Sequence, residues 1–343
     1  MIHFGGTRNT RRPGGETRGT LRLRKRLALL CGVLLLCGCA APTTRKLSAR
    51  TAAAPTSSPT ISTSPSPTSA STPSPSPSPT PEPTPSPSSS PTPEPTSDST
   101  SGPPAGYTLV FAEEFDANGK PDESVWTFDL GPWPYNEELE CYTADNAFVE
   151  NGALVIEARA EETEGCAYTS ARLNTKGKLD FTYGYLEVRA ALPVGRGTWS
   201  AIWLLPTGSA YGGYLESGEI DIAERVGFDA KRVYSTLHTE RNNSTLNNAI
   251  TESARLSRKD DGFHIYALLW EENAIRIYLD GVQVLCYARP ENAASDEWPF
   301  DLPFHVLLNV AVGGTWGGVK GVDDDAFPQR MLVDYVRLYA PPG

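Results

Sequence analysis

The sequence predicts an all-β fold, an antiparallel β-sandwich that occupies residues 105–343. Apolar and polar residues alternate over short runs in this region, such as ALVIEARA from Ala153 and FHVLLNVAV from Phe304. Glycine, proline, asparagine and aspartate separate the runs, and Glu271–Asn273 is typical of a hairpin turn. We find no amphipathic helix of useful length. Regular short strands of this kind pack as two antiparallel sheets face to face.

The first 40 residues predict an export signal. A basic segment, Arg22–Arg26, precedes the apolar run Leu27–Leu36, which is too short to span a bilayer. The segment Leu36–Cys39 resembles the processing site of bacterial lipoproteins, and this would place a lipid on Cys39. An ordinary secretory signal cut just after this cysteine is the alternative. Both predict an extracellular protein, which the lipid would anchor to the bacterial cell envelope as its one membrane attachment.

Residues 41–104 consist mainly of serine, threonine and proline, with runs such as SPSPSPTPEPTPSPSSSPTPEP. A segment with so few apolar residues cannot bury enough surface to fold. Proline-rich chains favour extended conformations and act as semi-rigid spacers. We interpret this segment as a disordered stalk that holds the following domain away from the envelope, with a passive linker as the alternative.

Charge and cysteine content exclude two classes of ligand. The formal net charge of −11 argues against a nucleic-acid partner and fits an exported enzyme that acts on a neutral polymer. We expect this enzyme to be a monomer. Outside the export signal the cysteines are Cys141, Cys166 and Cys286, and no pair has the C-x-x-C spacing of a zinc site. Cys141 and Cys166 flank adjacent strand-like segments, so we expect a disulfide between them. Cys286 would then be a buried free thiol.

Acidic and aliphatic residues alternate between Ser217 and Glu224. Glu219 and Asp221 stand two residues apart and share one face of a strand, whereas Ile220 points to the other face. Because like charges repel, a row of carboxylates needs a reason, and the commonest is acid–base chemistry on a sugar. A solvated acidic strand is the alternative.

Glu224 breaks the alternation, because a regular strand would bury it under the sheet without a partner. A β-bulge near Ile222 or Ala223 would return this side chain to the acidic face. Glu219 and Glu224 would then lie about 13 Å apart between Cα atoms. Their inward-leaning carboxyl groups can approach to about 5 Å, the separation that retaining glycosidases use.

Residues 107–339 resemble glycoside hydrolase family 16, in particular its laminarinase-like (endo-β-1,3-glucanase) branch. The segment GEIDIAE from Gly218 matches the bulged signature Glu-x-Asp-x-x-Glu of that branch. Further matches follow in the family's order: NEELECYT from Asn136, YTSARL from Tyr168, YGYLEVRAALPVGRGTWSAIWLLP from Tyr183, PFHVLLNVAVGGTWGG from Pro303 and FPQRMLVDYVRLY from Phe327. The resemblance implies a jelly roll with a concave, open substrate cleft, which suits an endo-acting enzyme.

The resemblance assigns the nucleophile to Glu219 and the general acid–base to Glu224, with Asp221 between them to orient the nucleophile. This pair implies hydrolysis with retention of configuration and without a catalytic cofactor. We expect the anionic Glu219 and Asp221 to raise the pKa of Glu224 and keep it protonated.

The resemblance also implies the residues that bind a β-glucan. Tryptophans Trp199, Trp203 and Trp316 would line the cleft near the cleavage point, because aromatic rings match the flat apolar faces of sugars. Core packing is the alternative for each. We assign the other four tryptophans to the core or the rim: Trp126, Trp133, Trp270 and Trp298.

Polar groups would complete the cleft. By resemblance, Asn136 and Arg172 hold glucosyl units on the non-reducing side, and His238 faces the cleft near the acid–base. A structural ion pair is the alternative for Arg172. The resemblance further implies a structural calcium ion, away from catalysis, held by Glu114, the backbone of Gly152 and Asp334.

The function that these residues predict is endo-acting hydrolysis of internal β-1,3-glucosidic bonds. Within the same fold, the alternative is a mixed-linkage β-1,3-1,4-glucanase or a hydrolase of another β-glycan. Arg225 stands where an aromatic residue is common in the branch, so we expect a difference in the cleft there. A surface glucan-binding protein without turnover, or a structural adhesin, would leave the three acids unexplained.

Overall fold

The computed structural model describes residues 102–133, 135–163, 165–256 and 262–343. The predicted export signal with Cys39, and the stalk up to residue 101, lie outside these residues. Helical structure in the described part is confined to three 3₁₀ turns: Ala144–Asn146, Gly227–Asp229 and Asp324–Ala326. No helix in these four ranges is long and apolar enough to cross a membrane. Strands form the remaining regular structure, which confirms the predicted all-β fold.

One eight-stranded antiparallel sheet, the back sheet, has the order β17-β16-β15-β10-β19-β6-β5, with β1 paired to β19. Its strands are β1 (Thr108–Glu113), β5 (Ala147–Glu150), β6 (Ala153–Ala158), β10 (Gly184–Ala191), β15 (His264–Glu271), β16 (Ala274–Leu279), β17 (Val282–Ala288) and β19 (Gln329–Ala340). Glu271 pairs with Ala274 across the β15–β16 connection, which confirms the predicted hairpin.

The second eight-stranded antiparallel sheet, the cleft sheet, has the order β14-β13-β12-β11-β18-β8-β2, with β9 paired to β18. Its strands are β2 (Thr127–Asp129), β8 (Arg172–Asn174), β9 (Asp180–Phe181), β11 (Thr198–Pro206), β12 (Glu219–Val226), β13 (Arg232–His238), β14 (Ile250–Arg255) and β18 (Phe304–Val312). A small third sheet lies beside them, made of β3 (Gly131–Pro132), β4 (Glu140–Tyr142) and β7 (Tyr168–Ser170).

The core lies between the two large sheets. Alternate residues of each strand enter it, including Leu186 and Leu268 from the back sheet and Ile202, Ile220 and Leu308 from the cleft sheet, all fully buried. Burial of each such side chain contributes about 1.5–3 kcal/mol. Because the period of a strand is two, the residues between these positions emerge on the opposite face of the cleft sheet. That face carries the acids and the tryptophans of the sequence motifs.

Cys141 and Cys166 form a disulfide with a Cα–Cα distance of 5.6 Å. It ties β4 of the small sheet to the segment before β7. Cys286 is a free thiol, but the expectation that it is buried is wrong, because it is exposed on β17, an edge strand of the back sheet. A residue on an outer face of an edge strand has no second sheet to cover it.

The disulfide closes a loop with a sequence separation of 25 residues. Such a cross-link restricts the unfolded chain and contributes about 3 kcal/mol in the loop-entropy model. We therefore expect the double replacement Cys141→Ala and Cys166→Ala to lower the melting temperature by about 6–12 °C, measured by calorimetry. The matched control Cys286→Ala removes the free thiol and should melt with the wild type. Equal melting temperatures for all three proteins would show that the disulfide does not stabilise the fold.

Candidate active site

A β-bulge in β12 arranges the acidic residues. On β11, Ile202 pairs with Ala223, and the next residue, Trp203, pairs with Asp221. Ile222 therefore has no opposite partner on β11, and the register against β13 shifts in the same place. Ile222 and Ala223 both join the core. This extra residue lies where the sequence predicted it, and it returns the last acid of the motif to the cleft face.

Glu219, Asp221 and Glu224 line one cleft of about 440 Å³ on the cleft sheet. Each is less than one-tenth exposed, at 7%, 3% and 9%. Three carboxyl groups thus share a site from which water is largely excluded. Such an arrangement is unfavourable for three full charges, so the cluster favours states that retain protons.

Burial is the largest cause of the raised pKa of each of these three carboxyl groups. Repulsion adds to it, since Asp221 raises the pKa of Glu219, and Glu224 raises that of Asp221. The predicted direction for Glu224 is therefore correct, but its cause is desolvation, and the predicted repulsion by Glu219 and Asp221 is not among the causes at Glu224. Hydrogen bonding from Trp199 and Thr236 opposes the rise at Glu224, and His238 and Tyr214 oppose it at Glu219.

His238 lies on β13 opposite Glu219. Its Nε2 is 3.3 Å from Asp221 Oδ2 and 3.8 Å from Glu219 Oε1. The imidazole thus contacts the carboxyl groups of the first two acids of the motif. These three side chains are the one group of acidic or histidine residues in the described ranges whose ligand atoms converge within 4.8 Å, and we assign no metal to it.

Trp199 and Trp203 share the cleft face of β11, as predicted from their spacing, and both line the cleft. Their indole N–H groups have different partners. Trp199 Nε1 donates to Glu224 Oε1 at 3.0 Å, and Trp203 Nε1 donates to Asn309 Oδ1 at 3.0 Å. Trp316 is not among the cleft-lining residues and packs against Trp199, with ring centroids 5.5 Å apart.

Arg172 lies between two indole rings. Its guanidinium carbon is 4.1 Å from the ring centroid of Trp133 and 4.7 Å from that of Trp203. Its Nε also forms an ion pair of 2.9 Å with Asp129 Oδ2. Arg172 is therefore both a structural ion pair and part of the cleft wall, where cation–π contacts hold the two rings apart. Trp126, Trp270 and Trp298 are core residues, whereas Trp133 belongs to the site.

A chain of hydrogen bonds supports this wall. Asn309 Nδ2 donates to the hydroxyl of Tyr142 at 3.1 Å, and that hydroxyl donates to Glu138 Oε2 at 3.3 Å. Glu138 Oε1 accepts from Asn136 Nδ2 at 3.1 Å. Asn136 and Glu137 both have left-handed backbone conformations, with φ of 57°, so the loop turns sharply into the cleft. The predicted binding residue Asn136 thus lines the cleft beside Arg172.

Sequence reasoning missed Trp133, Glu138, Tyr142 and Asn309. Proximity to Asn136 in GPWPYNEELE was the available signal for the first two. Arg225 does not alter the cleft as expected, because it is fully buried and donates to the carbonyl oxygens of Ala230 and Leu192 on the other side of β12.

The predicted calcium ligands do not fit a cation site. Both carboxylate oxygens of Glu114 accept from Arg337, at 2.7 and 2.8 Å. Asp334 Oδ2 accepts from Arg189 at 2.7 Å. Arginines thus take both carboxylate oxygens of Glu114 and one of Asp334, whereas calcium requires six to eight oxygen ligands. We derive no role for calcium from these side chains.

Comparison with known proteins agrees with this geometry. The family model for glycosyl hydrolases family 16 matches residues 135–337, which contain the bulged strand and the cleft.

The chain belongs to glycosyl hydrolase family 16. A β-glucanase of Rhodothermus marinus is 46% identical over 245 residues, which cover 68% of this chain and 85% of that protein. The crystal structure of the laminarinase from Rhodothermus marinus superposes with a TM-score of 0.66 at 47% identity, covering 68% of this chain and 97% of that structure. SCLam, a non-specific endo-β-1,3(4)-glucanase of family GH16, gives 0.66 at 40% identity, covering 70% and 93%. The antiparallel sandwich is therefore the jelly roll of this family.

The buried acids of this site lower the stability of the fold as well as providing its chemistry. A carboxyl group with a raised folded-state pKa resists ionisation in the folded protein and ionises freely in the unfolded one. We expect Glu219→Gln to raise the melting temperature at pH 7 by about 2–4 °C, as about 1 kcal/mol would produce. At about pH 3.5 the gain should vanish, because both states are then protonated. Thermal melting at both pH values, with the exposed Glu252→Gln as control, measures this; a lower melting temperature at pH 7 would contradict it.

Proposed function

We propose that the domain of residues 105–343 is an endo-acting, retaining β-glucanase that hydrolyses internal β-1,3-glucosidic bonds of laminarin-type glucans. The observation that carries the proposal is the bulged strand β12, which aims three buried carboxyl groups into a cleft walled by tryptophans. The similar β-glucanase and laminarinase of Rhodothermus marinus support the substrate class.

The reaction proceeds by double displacement. Glu219 attacks the anomeric carbon and forms a glycosyl-enzyme bond while the bond to the leaving oxygen breaks. Glu224 gives its proton to that leaving oxygen. It then takes a proton from the incoming water, which displaces Glu219 and regenerates both acids. Asp221 stands between them, where it orients Glu219 and holds His238.

The two proposed roles require different protonation states within one cluster. Glu224 must begin protonated and Glu219 must begin ionised at the same pH. Burial raises the pKa of Glu224, and it raises those of Glu219 and Asp221 as well. His238 and the hydroxyl of Tyr214 lower the pKa of Glu219 against the effect of its own burial. The cluster thus retains protons in the free enzyme, and the proposed mechanism requires one of them to lie on Glu224.

Substrate binding uses the same cleft face. Trp203 and Trp133 present ring faces on either side of Arg172, and Asn136 supplies a fixed amide beside them. Such alternation of ring and polar group matches the faces and edges of glucosyl units. A mixed-linkage β-1,3-1,4-glucanase is the second candidate, favoured by the likeness to a non-specific endo-β-1,3(4)-glucanase. Release of reducing sugar from laminarin, lichenan and agarose in parallel separates the candidates, and no release from any would reject the proposal.

The proposal extends to the part of the chain before the domain. Residues 1–40 would direct export, Cys39 would carry the lipid anchor, and residues 41–104 would form the stalk. The enzyme would then act, as a monomer, outside the cell on a polymer too large to enter it. The β-glucan itself is the expected partner.

Loss of either proposed catalytic glutamate should nearly abolish hydrolysis. We expect Glu219→Gln and Glu224→Gln each to reduce kcat on laminarin by about 10³-fold or more, since a neutral amide can neither attack nor transfer the proton. Reducing-sugar release measures this, with the exposed Glu150→Gln of β5 as a control that keeps full activity. A Glu224→Gln variant with most of its activity would contradict the acid–base assignment.

The two-step mechanism predicts the stereochemistry of the product. Two inversions at one carbon restore the original configuration, so the first product should be the β-anomer. Proton NMR of a fresh laminarin digest resolves the anomers before mutarotation. An α-anomer as the first product would reject the nucleophilic role of Glu219.

A further inference from the structure

Trp199 makes a direct contact with the proposed acid–base. Its indole Nε1 donates to Glu224 Oε1 at 3.0 Å, from the neighbouring strand β11. Trp203 lies on the same face of the same strand, but its N–H is taken by Asn309. Two tryptophans four residues apart thus present similar faces to the cleft, and only Trp199 contacts an acid through its N–H.

Two other aromatic rings hold Trp199 in place. Trp316 packs edge-on against it, with centroids 5.5 Å apart and planes at 76°. Trp316 also packs edge-on against Tyr234 at 5.0 Å and 73°. Tyr234 lies on β13 directly opposite Glu224, and its hydroxyl donates to Asp229 at 2.9 Å. These three rings, the aromatic bracket, reach from the strand before Glu224 to the strand after it.

The glycine-rich loop that carries Trp316 closes on the indole. A Cβ at Gly317 would lie 2.9 Å from the Cβ of Trp199, and one at Gly314 would lie 3.6 Å from Trp199 Cε3. Gly314 also has a φ of 73°, which a side chain would make unfavourable. The GGTWGG motif therefore packs behind Trp199 and does not form a separate wall of the cleft.

We propose that Trp199 is a positioning residue for Glu224, and that Trp316 and Tyr234 fix the indole that performs this role. The inference rests on the proposed function and deepens it, since sequence resemblance gives Trp199 and Trp316 to substrate binding.

The hydrogen bond determines which oxygen of Glu224 carries the proton. Oε1 faces an N–H donor, so it accepts, and the transferable proton resides on Oε2. After that proton has passed to the leaving oxygen, the same N–H stabilises the resulting carboxylate. A charge-assisted bond of this kind is stronger than a neutral one, so its contribution grows as the proton leaves.

Titratable and hydrogen-bonding groups surround Glu224 from its own strand, from β13 and from the loop before β12. Glu219 and Asp221 precede it on β12, His238 lies on β13, and Tyr214 comes from the loop before β12. Besides Trp199, the hydrogen bond that shifts the pKa of Glu224 comes from Thr236 of β13. A phenylalanine at position 199 leaves the chemical identity of all these groups unchanged and removes the indole N–H together with one of the two fused rings, and the matched variant Trp203→Phe loses the same atoms.

The experiment compares Trp199→Phe with the matched variant Trp203→Phe on laminarin. The N–H of Trp199 lowers the pKa of Glu224. Its removal should therefore shift the alkaline limb of the pH profile of kcat/KM to higher pH by about one unit. We expect kcat to fall about tenfold as the proton loses its fixed position. Trp203→Phe should raise KM and leave the limb in place.

Several outcomes overturn the inference. An unchanged alkaline limb in Trp199→Phe, with only KM increased, would leave Trp199 as a stacking residue. If a thermal melt shows that Trp199→Phe does not fold, Trp316→Leu is tested in its place. This variant should loosen the indole of Trp199 and move the alkaline limb in the same direction. An unchanged limb would reject the role of the aromatic bracket. Wild-type protein that hydrolyses no β-glucan would fail the proposed function instead, so the two failures are distinguishable.

Discussion

Accumulation of negative charge on one buried strand is the constraint on which the rest of this structure depends. Three carboxyl groups within six residues cannot all be ionised in a site nearly closed to water. Each neighbour of β12 supplies a partial compensation: His238 from β13 contacts two of the acids, and Trp199 from β11 donates to the third. The bulge makes the cluster possible, because it lets a strand of fixed period place its last acid beside the first two.

The same compensation explains why chemistry and stability oppose one another here. A fully solvated cluster would hold no proton at neutral pH and could not act as a general acid. A fully apolar environment would hold too many, and no nucleophile would remain. The donors from the flanking strands oppose the effect of burial at both Glu219 and Glu224, and the proposed mechanism needs the cluster divided into an ionised member and a protonated member. Much of the cleft sheet serves this division, since its strands carry the donors in fixed register.

Sequence was informative where the decisive interaction is local. The alternation of apolar residues predicted the sandwich, and the misplaced Glu224 predicted the bulge at Ile222, because both follow from the period of a strand. Contacts between distant segments could not be predicted in this way. Arg172 meets Trp133 across a gap of 39 positions, and the arginine partners of the supposed calcium ligands come from other strands. Exposure of Cys286 likewise depends on which strand ends the sheet.

The substrate wall shows the difference between residue type and residue role. Trp199 and Trp203 carry the same side chain at equivalent positions of one strand, yet one N–H goes to an acid and the other to an amide. β11 lies between β12 and β18, and the N–H of Trp199 contacts Glu224 of β12, whereas that of Trp203 contacts Asn309 of β18.

The disulfide is adjacent in sequence to a residue that supports this wall of the cleft. Cys141 is bonded to Cys166 and is followed directly by Tyr142, the hydroxyl that links Asn309 of the cleft sheet to Glu138 and so to Asn136. In a reducing compartment the cross-link would be absent and the sugar-binding edge would lose its tether. Oxidation of the two thiols would thus fasten the strand that carries Tyr142, so the shape of this edge of the groove would depend on the redox state of its surroundings.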